Sequence, residues 1–513
     1  MTDFVSREFF EQYVIEFHAL PGAVPEVSET CLLVVAPDFD SSSLDASSEL
    51  VKYMGLQGSV SLARNVMEKL KPSKDKGDSA EFMVEKGSSV YKFVFAKLPI
   101  AVSRNNTPAR SHAVSDFVKK AKGSGDLTVL LVPATDDIAF AQAIACARPF
   151  PLYSDKSGTR KTREDLGFKK SRVNIVISSS GPSELFSDIA LVASSLRSSQ
   201  GLVDLPPNKL NCTTYVDYVI AKLKGKCGVK VICGEELNEQ GFGGLYGVGK
   251  ASPHPPALVI LSHVPAGTEE KPSVCLVGKG IVFDTGGLSI KVPPGMCGMK
   301  SDMGGSAAVF GAFEALVNSG FKDCPVHALL CIAENSVDER AARPDDVHIM
   351  LSGKSVELNN TDAEGRLVLG DGVHYAAKHL KPACVVDIAT LTGAQLVTTG
   401  RKHAGVFCSD DELEQISHDA GIKTGDLCFP MLYCPEFHRE MFASQVADMK
   451  NSVSDRMNAQ SSCAGQFIAN HLEDYLDNGG RYLHIDMAGP SMADGRATGF
   501  GVALLYEITK ALA

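Results

Sequence analysis

The sequence predicts an α/β protein of two domains: a smaller N-terminal α/β domain, and a larger C-terminal domain whose mixed, largely parallel central sheet is covered by helices. Three observations carry this expectation. The 513 residues exceed what one ordinary core holds. Beyond about residue 205, strand-like apolar runs alternate with helical periodicity, the pattern of a sheet wrapped by helices. Between the halves, a helical stretch is followed by LVDLPPNKLN, whose two prolines end regular structure.

In the first half, Cys31–Ala36, Val90–Phe95 and Leu127–Val132 read as strands. Leu70–Glu85, rich in Lys and Asp, reads as a solvated loop. No chemical constellation stands out there. Residues 1–180 are taken as the N-terminal domain and 181–204 as a connecting helix and linker. Leu185, Ile189, Val192 and Leu196 recur at helical spacing, with Ser180-Gly181-Pro182 as a start and Gly201 as a stop. In the remainder, 205–513, strands are expected at Val229–Cys233, Ala257–Ser262, Val274–Phe283, Val326–Ile332 and Cys384–Leu391. Helices are expected at Gly305–Asn318 and Arg366–His379. In such sheets, sites form at the carboxyl ends of strands.

Composition narrows the function. An apolar fraction of 44% and a charged fraction of 22% suit a soluble globular chain. A net charge of −11 disfavours sequence-independent nucleic-acid binding, which needs concentrated Lys and Arg. The 14 cysteines form no C-x-x-C pair and suit reduced thiols in a cytoplasmic protein. The start, MTDFVSREFFEQYV, lacks a basic end followed by an apolar core, and no run approaches a membrane span.

Three segments place charge where burial is expected. In VGKGIVFDTGGLSIK, residues 277–291, Lys279 interrupts an apolar strand, Asp284 ends it, and Lys291 follows. In MKSDMGGSAA, residues 299–308, Asp302 precedes a helix of small residues. In NTDAEGRLVLGDG, residues 360–372, Asp362, Glu364 and Arg366 alternate with small residues. An extended backbone would point those three the same way. Singly, Lys279 reads as a snorkelling lysine, Asp302 as an N-cap and Asp284 as a turn residue. Together, carboxylates converging at strand ends would repel unless protonated or neutralised, and divalent cations neutralise them best.

These blocks, with DIATLTGA at 387–394 and ATGFGVALL at 497–505, resemble the signatures of the leucine aminopeptidase family, the two-metal cytosol aminopeptidases. Their details are especially similar to an animal branch described only as probable aminopeptidases. The resemblance covers about 200–513 and implies a catalytic dinuclear-metal peptidase domain at 205–513. It implies that Lys279, Asp284, Asp302 and Glu364 hold one divalent metal, and Asp284, Asp362 with its own carbonyl, and Glu364 the other. Zinc or manganese is expected, with magnesium as an alternative. Lys291 and Arg366 would be the catalytic residues outside the ligand set, with a bicarbonate near Arg366. As a ligand Lys279 must be neutral, a state that burial and adjacent cations favour. By alignment, Met299, Thr390, Gly393, Ala488 and Ser491 line the pocket for the first side chain. Leucine-preferring members often carry Met where Ser491 stands, and KVPPGMCGM departs from the usual link after Lys291. The implied activity is release of N-terminal residues from peptides with a free N-terminus, by a cytoplasmic homohexamer without a membrane or nucleic-acid partner. The rival reading is a catalytically silent scaffold or binding protein of the same fold.

Other signals carry less. GLYGVGKAS, 244–252, lacks the Ser or Thr of a phosphate loop, since Ala251 stands there, and reads instead as a Gly-rich turn. His484 and Asp486 suggest a triad, but no nucleophile elbow accompanies them. His327, His374 and His379 read as structural or exposed, and Cys297 as a packed thiol. DMKNSVSDR, 448–456, is either a polar loop near the pocket or a helix cap.

Overall fold

The computed structural model describes residues 4–165, 168–179 and 181–513. Its contacts divide into two units. One comprises Phe10–Arg197 with Gly421–Gly425; the other comprises the residues through Phe9, Ser198–Ala420 and Asp426–Ala513.

The first unit is built on six strands: β1 (Tyr13–Leu20), β2 (Thr30–Val35), β3 (Asp78–Lys86), β4 (Ser89–Lys97), β5 (Leu127–Val132) and β6 (Ser171–Ser178). They lie in the order β1-β6-β5-β2-β4-β3, all neighbours parallel except the β3–β4 hairpin. The expected loop at Leu70–Glu85 is therefore half wrong, because β3 begins at Asp78. Ala80, Phe82 and Val84 alternate with charged or exposed residues and pack on the core, as an edge strand with one wet face does. The Lys- and Asp-rich run of 71–76 just before the strand, and Ser79, Glu81 and Glu85 on its wet face, hid that alternation.

Helix Ser183–Asp204 carries the chain from one unit to the other. Ser180, part of its expected start, lies outside the described residues. Gly201 does not stop the helix. A Cβ there would stand 2.7 Å from the Phe9 ring, so glycine permits close packing within the turn.

The second unit holds an eight-stranded sheet. Its members are β7 (Gly228–Cys233), β8 (Ala257–His263), β9 (Val274–Asp284) and β10 (Val326–Asn335). After the short β11 (Val347–Ile349) and β12 (Ser355–Glu357) come β13 (Cys384–Ala389), β14 (Ala404–Cys408) and β15 (Cys428–Pro430). Then follow β16 (Met449–Lys450) and β17 (Arg481–Asp486). The order is β15-β14-β17-β13-β9-β10-β8-β7, while β11, β12 and β16 form a small separate sheet. The centre, β17-β13-β9-β10, is parallel, and antiparallel pairings appear towards both edges. Strand β9 thus lies in mid-sheet with its carboxyl end framed by neighbours.

Helix Gly304–Asn318 is buried almost throughout. Its small residues have a steric cause: a Cβ on Gly305 would stand 2.1 Å from the Ile388 carbonyl oxygen, so the helix sits directly on the sheet. Helix Gly365–Tyr375 continues as a π-helical turn, Ala376–Leu380. No helix among the described residues is long and apolar enough to cross a membrane.

Candidate metal centre

The site forms where β9 ends. Lys279 is a mid-strand residue only 3% exposed, and Asp284 closes the strand. Gly286 follows in a left-handed conformation, φ +86°, which turns the chain back; its amide and the Asn335 side-chain amide donate to Asp284 Oδ1 at 2.9 and 2.8 Å. Asp302 belongs to the short 3-10 turn Met299–Met303 that leads into the glycine-rich helix. Asp362 lies in a turn pinned by its own amide donating to Asn360 Oδ1 at 3.0 Å. Glu364 caps the next helix with a helical backbone, φ −77° and ψ −34°.

The segment Asp362–Arg366 is therefore not extended, and its alternation is not that of a strand. The turn brings Asp362 and Glu364 to the same lysine–carboxylate cluster, while Arg366, inside the helix, reaches elsewhere. Gly365 lets the helix start against Lys279: a Cβ there would stand 2.5 Å from Lys279 Cε.

The five ligand candidates form one network. Lys279 Nζ lies 2.8 Å from Asp302 Oδ1 and 2.9 Å from Glu364 Oε1, and donates to the Thr390 carbonyl at 3.2 Å. Lys291 Nζ lies 2.8 Å from Asp284 Oδ2 and 2.6 Å from Asp362 Oδ1. One oxygen from each of Asp284, Asp302 and Glu364 falls within 4.8 Å of the others, and all three residues are buried. Asp302 Oδ2 and Glu364 Oε2 are buried with no hydrogen-bond partner. Acceptors of this kind are costly to leave unpaired, and a hard divalent cation is the species that satisfies them. The residues present fit a metal.

The electrostatics follow from burial. Asp302 is pushed well above the usual carboxylate range by desolvation, with Glu364 and Asp284 adding and Lys279 opposing. Glu364 is raised by burial and by Asp284, and Asp362 mainly by burial. Burial alone would lower Lys279, but Asp302, Glu364 and Asp284 outweigh it and hold its proton on. Among these carboxylates alone the ammonium serves as counter-ion; the neutral lysine that the resemblance implies needs the opposing field of adjacent cations.

Arg366 is buried, and its Nη1 donates to the Asn451 carbonyl at 3.0 Å. Its Nε has no hydrogen-bond partner, and burial lowers its pKa to about 10. Of the five expected pocket residues, Thr390 joins the centre directly, its hydroxyl donating to Asp302 Oδ1 at 2.8 Å. Met299 opens the turn that carries Asp302. Gly393 faces open space, with no heavy atom within 4 Å of where a Cβ would stand. Ala488 is tied through its amide to Asp486 Oδ1, which also accepts from Leu391. Ser491 is buried, donating to the Ala488 carbonyl at 3.0 Å.

The weaker signals resolve into structure. GLYGVGKAS is not a turn but helix Gly243–Gly249, with Leu245 in the core. His484 pairs with Asp387, Nδ1 to Oδ1 at 2.7 Å, rather than with Asp486, and both are fully buried. His327 bonds Ser262, His374 bonds the His471 carbonyl, and His379 lies against the Tyr375 ring. Cys297 is exposed, not packed. Helix Gln460–Ala469 is preceded by Ala459, so the 448–456 run caps nothing there. Two buried amides, Asn335 and Asn451, were not singled out from sequence. Asn335 closes strand β10 directly after Glu334, where a polar strand end is unremarkable.

The catalytic-domain model of the cytosol aminopeptidase family matches residues 197–506. The model of an N-terminal domain of the same peptidases, the M17 aminopeptidase N-terminal domain 2, matches 54–159, inside the half where no motif was recognised. The chain belongs to the cytosol aminopeptidase family and is a metal-dependent aminopeptidase of the leucine aminopeptidase type. It is 48% identical over 421 residues to the human protein named "Probable aminopeptidase NPEPL1", covering 80% of this chain and 78% of that one. It is 43% identical over 420 residues to Leucine aminopeptidase 1 of Caenorhabditis elegans, covering 80% and 82%. Among solved structures, leucyl aminopeptidase of Trypanosoma brucei in complex with bestatin superposes with a TM-score of 0.88 at 37% identity, over 99% of this chain and 97% of that one.

Proposed function

We propose that the centre holds two divalent cations and hydrolyses the first peptide bond of substrates with a free N-terminus. Lys279, Asp284, Asp302 and Glu364 would hold one cation; Asp284, Asp362 and Glu364 the other. When bound, the cation pair supplies Lewis-acid activation of a water and of the scissile carbonyl, with zinc, manganese or magnesium as candidates. The observation that carries this reading is the pair of buried, unpartnered oxygens, Asp302 Oδ2 and Glu364 Oε2, inside a three-carboxylate cluster.

The chain's own residues do the rest. Lys291 is part-exposed beside Asp284 and Asp362, where its ammonium can donate to the developing oxyanion. Arg366 has a free Nε edge that would hold a bicarbonate to take and return the water's proton, so no side-chain base is required. Thr390 fixes Asp302 and lies where the first substrate side chain would enter, alongside Met299, Gly393, Ala488 and Ser491. The same reading makes 1–180 an accessory domain, 181–204 its connector and 205–513 the catalytic domain.

The cytoplasm is the proposed location, in keeping with bacterial relatives named cytosol aminopeptidases. A homohexamer is the proposed assembly. Its support here is exposed apolar surface: Leu432, Phe437, Val446 and Met457 are 66–92% exposed, which association would cover.

The test is hydrolysis of aminoacyl amides by protein loaded with manganese or zinc. Turnover that a chelator abolishes and metal restores is expected. No turnover in metal-loaded protein would leave the silent scaffold as the reading, and turnover that survives chelation would refute the metal mechanism.

A further inference from the structure

Asn451 sits in the polar run 448–456, directly after the short strand β16, and is wholly buried. Its backbone amide is tied to the Glu357 carbonyl at 3.0 Å, which anchors the residue to β12. Its side chain is then fully committed. Oδ1 accepts from the amides of Asn359 and Asn360 at 2.9 and 3.3 Å. Nδ2 donates to the carbonyls of Asn360 and Ala363 at 2.7 and 3.3 Å. Those bonds span the turn that carries Asp362 and stop one residue short of Glu364. The Asn451 carbonyl accepts from Arg366 Nη1 at 3.0 Å.

We propose that Asn451 is the positioning residue that sets the Asp362–Glu364 turn and Arg366 in one frame. The proposal rests on the metal-centre reading above and adds a residue outside its ligand and catalytic sets. The physical need is specific. Asp362 lies in a turn rather than in the sheet, so ladder hydrogen bonds do not fix it. A single planar amide that donates twice and accepts twice supplies that fixing, and the same residue's carbonyl orients the guanidinium. Among neutral side chains only Asn and Gln carry two N–H donors and a carbonyl acceptor fixed in one plane. Residues that orient ligands in this way typically cost about 10–100-fold in metal affinity when removed.

A purely structural link is available for comparison. Asn359 pairs the same two segments through Ser452, accepting from its amide and donating to its carbonyl at 3.0 Å each, and its side chain reaches neither Ala363 nor Arg366.

The experiment measures manganese affinity calorimetrically on stripped full-length protein, beside kcat, KM and thermal midpoint. The variants are Asn451→Ala, Asn451→Asp and Asn359→Ala. Asn451→Asp keeps the shape and loses the donors, so it decides the matter if the alanine variant fails to fold. The expected result is about a 10–100-fold loss of manganese affinity in the Asn451 variants, with kcat falling more than KM rises, and less than about threefold in Asn359→Ala. Wild-type affinity and kcat in Asn451→Asp, or equal losses in Asn359→Ala, would overturn the positioning role. Wild-type protein that binds no manganese would instead refute the metal-centre reading itself, and with it the frame that Asn451 is proposed to set.

Discussion

Lys279 Nζ lies 2.9 Å from Glu364 Oε1, and both side chains are at most 3% exposed. A cation and a carboxylate from segments far apart in sequence neutralise each other in the interior, while Glu364 keeps its other oxygen unpartnered. Neutralising Glu364 separates its metal role from its structural one. Glu364→Gln is nearly isosteric, so the protein should stay folded while metal content and turnover fall together. Metal analysis and circular dichroism on the same sample check this, and normal turnover would remove Glu364 from the centre.

Lys279 is the partner whose loss should be felt most without metal. Lys279→Ala leaves Asp302 and Glu364 facing each other with no counter-charge, and removing one member of a buried ion pair costs about 3–5 kcal/mol. Urea unfolding of the stripped protein should show that loss. If the stripped variant is as stable as wild type, Lys279 is not the internal counter-ion.

Gly365 offers a change that should disturb chemistry more than folding. An added methyl would meet the far end of the Lys279 side chain at 2.5 Å, and that end can move where backbone could not. Gly365→Ala should therefore cost less stability than Lys279→Ala while losing metal affinity. A large drop in melting temperature with metal affinity intact would contradict this.

Acid sensitivity has a separate origin. His327, His348, His374, His438 and His471 all have pKa values lowered by burial, His471 to about 3. The unfolded chain takes up protons near its ordinary value of about 6.5, and the folded chain resists them. Their contribution is therefore whole above about pH 6.5 and is lost as pH falls through the window down towards the folded values. Between pH 7 and pH 5 this histidine contribution to the thermal midpoint of stripped protein should fall, opposed by buried carboxylates whose pKa values burial raises, Asp371 to about 7. His471→Phe should blunt that drop, at the expense of the Ser352 hydroxyl that His471 Nδ1 engages at 2.7 Å. An unchanged slope would assign the acid limb to other groups.

Much of the centre was legible because charge inside an apolar run is conspicuous. Lys279 and Asp284 announce themselves in β9, and the glycine-rich start after Asp302 reads as a helix pressed on a sheet. The geometry of 360–366 was not legible, since the alternation of small and charged residues suits a strand as well as a turn entering a helix. The β3 edge strand was masked by the Lys- and Asp-rich run before it and by Glu81 and Glu85 on its wet face. Asn335 and Asn451 escaped because a buried amide has no sequence signature of its own; its meaning lies in what folds around it. The proton on Lys279 depends on whether cations or carboxylates dominate its surroundings, and sequence does not order those effects.

The most direct measurement is the number of manganese ions bound per chain, by calorimetric titration of stripped protein with anomalous diffraction to place them. Two ions per chain are expected, both beside Asp284 and Glu364, with neither retained at normal affinity in Glu364→Gln. A single ion, none, or two ions held away from these carboxylates would contradict the two-metal centre.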